Sequence, residues 1–275
     1  MEDRVLQTIL DFVRLCLWLL ILVMIFVPLE RIFALHPQKI IRKAFFSDLL
    51  YYLLNNTLSK FLLIIPMALV GYTIRHYLPG AYYDRVAALP VVVKMFLGLL
   101  IGEFGFYWGH RWSHEIPFLW RFHAVHHSAE EMDWLVSTHS HPVDMVFTRL
   151  CGFVPLYFLG FSQPMATSLD FVSIFVIVTS VLWGFFIHAN VKWRFGSLEW
   201  LVSTPAFHHW HHTLEKPHDK NYASMLPLYD FLFGTAHLPK KEWPAHYGCD
   251  TPVSPDLSAQ LLDPIFPRPA QPVRQ

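Results

Sequence analysis

Twelve of the chain's 17 histidines fall in two short windows. The first, His110 to His141, reads HRWSHEIPFLWRFHAVHHSAEEMDWLVSTHSH, and the second, His208 to His218, reads HHWHHTLEKPH. They contain an H-x3-H (His110, His114) and two H-x2-H-H boxes: His123, His126, His127 and His208, His211, His212. On a helix, residues three and four apart share a face, so each box aims two or three imidazoles at one point. A lone histidine is most often a satisfied core or surface residue; three phased boxes have no such ready explanation. One tetrahedral zinc takes four ligands, so eight are too many for one ion and suit two, held roughly 3.5–6 Å apart in a shared cage. Imidazole accepts iron, zinc, copper and nickel alike, so ligand type alone does not choose the element.

His188 is a ninth candidate ligand, at the end of an apolar run (WGFFIHANVKW). An ionisable group in such a run is costly and points to function. His139, His141, His209 and His218 are near the boxes but off their phase; His139 or His141 could close the cage or hydrogen-bond a ligand from behind. Glu103, Tyr107, His110 and His114 form one helical stripe. Glu103 in its apolar run needs a partner, and the outer nitrogen of a metal-binding imidazole is one. Asp133 and Asp144 could serve in the same way; a carboxylate at a helix end near lipid headgroups is the alternative.

The elements that must position these groups are apolar. The composition is 54% hydrophobic and 15% charged, against about 25% charged in soluble domains. Apolar runs cover about 9–27, 50–74, 89–108, 143–160 and 169–187; about 20 such residues cross a bilayer. This predicts an all-α integral membrane bundle of four to five spanning or hairpin helices, with Pro155 able to kink the fourth run. A cleaved signal peptide is the weaker reading of the first run, because no small-residue cleavage site follows it. Gly98, Gly102, Gly105 and Gly109 give small-x3-small patterns suited to close helix packing in lipid. Residues 109–142 and 188–250 are expected to form a cap carrying the boxes on one membrane-embedded domain, residues 1–250. Residues 251–275 hold six prolines and are expected to be extended and mobile. Arg31, Lys39, Arg42 and Lys43 in the first loop, against Arg75 and Arg85 in the next, place the cap on the cytoplasmic side.

Other chemistries lack their signatures. Net charge is zero, which leaves no footprint for nucleic acid. Cys16, Cys151 and Cys249 form no C-x-x-C, against a disulfide framework or thiolate zinc site. No dinucleotide, Walker, haem-attachment or G-x-S-x-G motif occurs. Redox chemistry at the metals would therefore draw electrons from another protein.

The ordered boxes between apolar spans resemble the fatty acid hydroxylase/sterol desaturase superfamily. Further pieces extend the resemblance: His141-Pro142-Val143-Asp144, His188-Ala189-Asn190, Asn221-Tyr222-Ala223 and Asp230-Phe231-Leu232-Phe233-Gly234-Thr235. It covers about Phe104 to Gly248. The resemblance implies a helical membrane anchor, a cytosolic cap and a non-haem di-iron site that activates O2 to attack a lipid C–H bond, with electrons from an external donor, cytochrome b5-like or a ferredoxin and its reductase. It also brings Asn190 in as a residue near the site. Some acyl hydroxylases carry a second histidine where this chain has Lys192, which leaves nine ligands and tilts the resemblance toward the sterol-desaturase-like branch. The expected function is a lipid hydroxylase or desaturase holding two Fe ions, in a cage that zinc would also enter. Apolar runs rich in Phe, Trp and Leu offer the substrate a lateral route from the bilayer. A metal transporter or sensor is the alternative, but its ligands should line a path across the membrane. A structural-zinc scaffold, the other alternative, needs only four.

Overall fold

The apolar runs fold as helices, the first three longer than the runs themselves. The computed structural model describes residues 2–162, 171–240 and 242–267. Four helices are long and apolar enough to cross a membrane, which marks an integral membrane protein. They are α1 (Glu2–Phe33), α2 (Phe45–Tyr77), α4 (Val91–Glu115) and α7 (Phe171–His188), with short α3 (Gly80–Ala87) between α2 and α4. The start of the fifth run, residues 169 and 170, lies outside the described residues. The run expected at 143–160 forms α6 (Pro142–Phe158), which at 17 residues is shorter than the four spans. The described residues contain no strand, only isolated bridges such as Ala34 to Val191.

Polar residues inside the spans have partners. Asp11 bonds Arg14 at 3.1 Å and also Lys60 across to α2 at 3.2 Å. Lys60 is therefore tolerated in an apolar run because a facing carboxylate meets it. Glu103, on α4, does not reach an imidazole as expected. Its Oε2 accepts the backbone N–H groups of Met225 (2.7 Å) and Leu226 (3.3 Å). Backbone N–H groups satisfy a buried carboxylate as well as a ring N–H would, and the loop there offers two.

The glycine stripe packs α4 against α6 and α7. A Cβ added at Gly105 would lie 2.0 Å from the carbonyl oxygen of Cys151, and one at Gly109 2.7 Å from its Cβ. At Gly98 it would meet Val172 at 2.9 Å.

Short cap helices follow the membrane helices: α5 (Pro117–His127), α8 (Pro205–His211), α9 (Leu228–Leu232) and α10 (Leu257–Leu262). Pro117 and Pro205 open α5 and α8, where a missing N–H costs nothing. Thr204 caps α8 through the N–H of Phe207. The tail expected to be mobile is instead folded back as far as residue 267. Tyr51 donates to Gln260 (3.1 Å), Trp120 to Thr251 (2.8 Å), and Arg121 to the carbonyl of Pro264. The prolines limit the tail's own donors, but donors from α2 and α5 meet its acceptors. Residues 268–275 lie outside the described residues.

Candidate metal centre

Nine buried imidazoles converge where the C-termini of α4 and α7 meet α5 and α8. α4 supplies His110 and His114, α5 supplies His123, His126 and His127, and α7 ends on His188. α8 supplies His208 and His211, with His212 as its C-cap. The rings form two sets that could each hold an ion. One is His110, His114, His123, His127 and His211; the other is His126, His188, His208 and His212. Within each set the ligand atoms lie within 4.8 Å of one another. The rings of His127 and His212 stack across the two sets at 4.5 Å.

Hydrogen bonds behind the rings fix which nitrogen faces inward. The Nδ1 of His110 donates to the carbonyl of Tyr222 (2.7 Å), His126 to His139 (2.9 Å), His188 to Gly184 (2.6 Å) and His211 to Lys220 (2.7 Å). His123 donates to Asp144 (3.0 Å) and His114 to Asp219 (2.9 Å). A carbonyl or carboxylate only accepts, so each Nδ1 carries a proton, which in a neutral ring leaves Nε2 with a bare lone pair. Two such lone pairs face each other at 3.1 Å between His110 and His123, and at 3.3 Å between His126 and His188. Facing lone pairs repel unless a cation lies between them. The buried Nε2 atoms of His114, His127 and His211, and the Nδ1 atoms of His208 and His212, have no partner at all. Burial holds the cap histidines His126, His127, His208, His211 and His212 well below the usual imidazole pKa, with neighbouring rings adding to the effect. Neutral, inward-facing and otherwise unsatisfied nitrogens are the donor set a transition metal takes.

The other residues singled out from the sequence fall outside both sets. His139 directs Nδ1 at Asp48, and only its backbone carbonyl reaches the site, through His126. His141 caps α6 by accepting the N–H of Val143 and donates Nε2 to the carbonyl of Leu261. His209 takes the Tyr247 hydroxyl at 2.9 Å and donates to the carbonyl of Ala189 at 3.2 Å. Its pKa is pushed down to about 3, chiefly by burial. Asp133 pairs with Arg42 and caps the turn Trp134–Thr138 instead of meeting an imidazole. Asn190 clamps the backbone N–H and carbonyl of His36. Of the three carboxylates expected behind the rings, Asp144 alone is there.

Asp219 was missed, as were the carbonyls of Tyr222, Lys220 and Gly184. Backbone carbonyls leave no residue-type signal. Asp219 lies outside the boxes and is brought to His114 by a left-handed turn, with φ of 61°. Asp144 is buried, whereas the Asp219 side chain is 53% exposed. Asp144→Asn is therefore expected to lower metal affinity by about 10–100-fold, and Asp219→Asn by less, since water can replace the lost acceptor. Competitive chelation of the purified variants measures both; equal effects would contradict the ranking.

Residues 95–235, just over half of the chain, match the family model described as fatty acid hydroxylase, and the chain belongs to that family. The expectation drawn from the histidine boxes and their flanking pieces is borne out at that level. Among curated proteins, ornithine lipid hydroxylase OlsE of Rhizobium tropici is 37% identical over 178 residues, 64% of this chain and 51% of the relative. Human alkylglycerol monooxygenase is 34% identical over 141 residues, covering 51% of this chain and 29% of the relative. Methylsterol monooxygenase 2-2 of Arabidopsis thaliana is 26% identical over 183 residues, 62% of this chain and 63% of the relative. The match thus spans about half the length of the first relative and under a third of the second. No solved structure matches the chain.

Proposed function

We propose that the chain is a membrane-bound non-haem di-iron oxygenase that hydroxylates or desaturates a lipid C–H bond, using O2 and electrons from a separate donor protein. One observation carries the reading: nine buried imidazole rings meet in two sets, with six outer nitrogens bonded so that the inner ones are bare. In this reading all nine histidines are ligands, and bound iron supplies the oxygen activation that attacks the substrate. The protein's part is to hold the rings, fix their tautomers and keep bulk water out. Asp144 and Asp219 make His123 and His114 stronger donors by accepting their outer protons. The family membership and the names of the relatives, all acting on lipids or lipid-derived groups, support a membrane lipid as substrate.

A cavity of about 260 Å³ reaches the five-histidine set, lined by His114, His127, His211, Trp120, Asp219 and Cys249 among others. It is below the roughly 300–1,000 Å³ of ordinary ligand pockets. It suits water or O2, and a lipid tail would need a wider path, such as the lateral route from the bilayer. The basic residues of the α1–α2 loop support a cytoplasmic cap. The sets lie together at one end of the helices instead of lining a path across them, which disfavours a transporter.

Lipid profiling of cells with and without the gene tests the activity. The expected result is a species gaining one oxygen or losing two hydrogens. Iron-loaded protein that consumes no O2 with a reductant and lipid extract, in cells whose lipids are unchanged, would sink the proposal.

A further inference from the structure

The two histidine sets differ in what stands behind their direct partners. Outer partners of the five-histidine set are the carbonyls of Tyr222 and Lys220 and the carboxylates of Asp144 and Asp219. All of these lie within the family-matched residues 95–235, as do the direct partners of the four-histidine set, the carbonyls of His139 and Gly184. Behind the His139 carbonyl, however, stand residues upstream of that segment. His126 donates to the carbonyl of His139, and the loop bearing this carbonyl is clamped from α2. Asn55 donates to the carbonyls of Thr138 (3.3 Å) and Ser140 (2.8 Å), and Thr138 donates to the carbonyl of Asp48 (2.9 Å). The Asp48 carboxylate, fully buried, takes both the His139 ring and Arg42. Arg42 also grips Asp133 at 2.7 and 2.8 Å, and Asp133 caps the turn leading into Thr138.

A second clamp holds the segment after His188. Glu30 on α1 accepts the N–H of Trp134 (2.7 Å) and of Asn190 (2.9 Å) with one oxygen. It thereby ties the turn of the first clamp to the exit from α7. The N–H of Lys192 adds a bond to the carbonyl of Phe33 at 2.9 Å. Burying this many charges is expensive, and a well-packed apolar set often stabilises a fold better. What charged hydrogen bonds add is direction: they hold one carbonyl and one chain exit in a single place.

The clamped loop also touches the five-histidine set, through the Ser140 hydroxyl on Asp144 (3.1 Å), but Asp144 keeps a second hydroxyl donor in Ser113 (3.2 Å). We propose that Glu30, Arg42 and Asp48 are positioning residues acting mainly on the four-histidine set, through the His139 carbonyl on His126 and through Asn190 on His188. The inference rests on the nine histidines being ligands. Its test reads Zn²⁺ binding to the full chain purified in detergent, so activity is not needed. Asp48→Asn is combined with His114→Ala, which breaks the five-histidine set, and separately with His212→Ala, which breaks the other. In the His114→Ala background Asp48→Asn is expected to weaken the remaining ion by about 10–100-fold. In the His212→Ala background the remaining ion is expected to stay within about twofold, as for uncoupled sites. A general loss of structure would weaken both alike. Equal loss in the two backgrounds, or none in either, overturns the proposal. If the Asp48 variant cannot be recovered from detergent, Glu30→Gln is read in the same two backgrounds by the same criterion. Wild-type protein that takes up no ion overturns the metal-centre reading itself, and is told apart by being seen before any variant is compared.

Discussion

Turnover is expected to vanish in His126→Ala and in His211→Ala, with the bound iron of each variant falling by about one ion per chain. The two residues represent the two sets, and each ring is held by a short bond from Nδ1 to a carbonyl. Loss of an outer partner alone typically costs about 10–100-fold in metal affinity or activity; losing the ligand costs more, since its nitrogen is gone as well as its orientation. The change also leaves the neighbouring lone pairs facing a hole that water fills less well than an imidazole. His246→Ala is the control, because that side chain is 75% exposed and belongs to neither set. Iron analysis and product formation on the same preparations decide the matter. Either variant retaining both ions and full turnover would remove that set from the active centre.

Gly105→Ala is expected to prevent normal assembly of the helix bundle. In an isolated helix this change helps, by about 1 kcal/mol. Here the new Cβ would sit 2.0 Å from the carbonyl oxygen of Cys151 and 2.9 Å from its carbon. The obstacle is backbone, so no rotamer change relieves it. The helices must part by about an ångström or more, and close-packed interiors transmit such shifts instead of absorbing them. Overpacking usually costs about 1–3 kcal/mol, and a rigid backbone obstacle belongs at or beyond the upper end, so the clash outweighs the propensity gain. Because α4 also carries His110 and His114, the shift would move two rings out of one set. Thermal unfolding in detergent and the yield of monodisperse protein measure the effect. Gly80→Ala, where an added Cβ meets nothing within 4 Å, is the matched control. Similar midpoints for the two variants would show that the α4–α6 contact is looser than described.

Much of the site was legible because imidazole spacing and helix periodicity are local. His110 and His114, or His123, His126 and His127, sit on one face wherever a helix forms. His188 was legible for another reason, the cost of an ionisable ring beside an apolar run. The four spans were legible because length and hydropathy decide membrane crossing. The run that became α6 was harder to read: at 17 residues it packs against α4, and its apolar side chains serve a helix interface. The proline-rich tail was misread for a related reason. Composition registers its few anchoring side chains but not the donors waiting on α2 and α5.

Partners behind the rings were the least legible part. Glu103, Asp133 and Asp144 are all acids near the boxes, yet only Asp144 meets an imidazole. The other two are taken by the backbone of residues 225 and 226 and by Arg42. Glu103 and Asp133 are claimed by chain segments more than 90 residues away, and no spacing rule reaches that far; Asp144 meets a ring only 21 residues away. The sequence by itself determined the kinds of donor, their number and the faces they share, because those follow from residue type and helical pitch. Only the tertiary structure decided that the nine rings divide five and four, and which nitrogen of six of them turns inward. That division comes from the packing of four helix ends, and each tautomer from a carbonyl or carboxylate placed behind its ring.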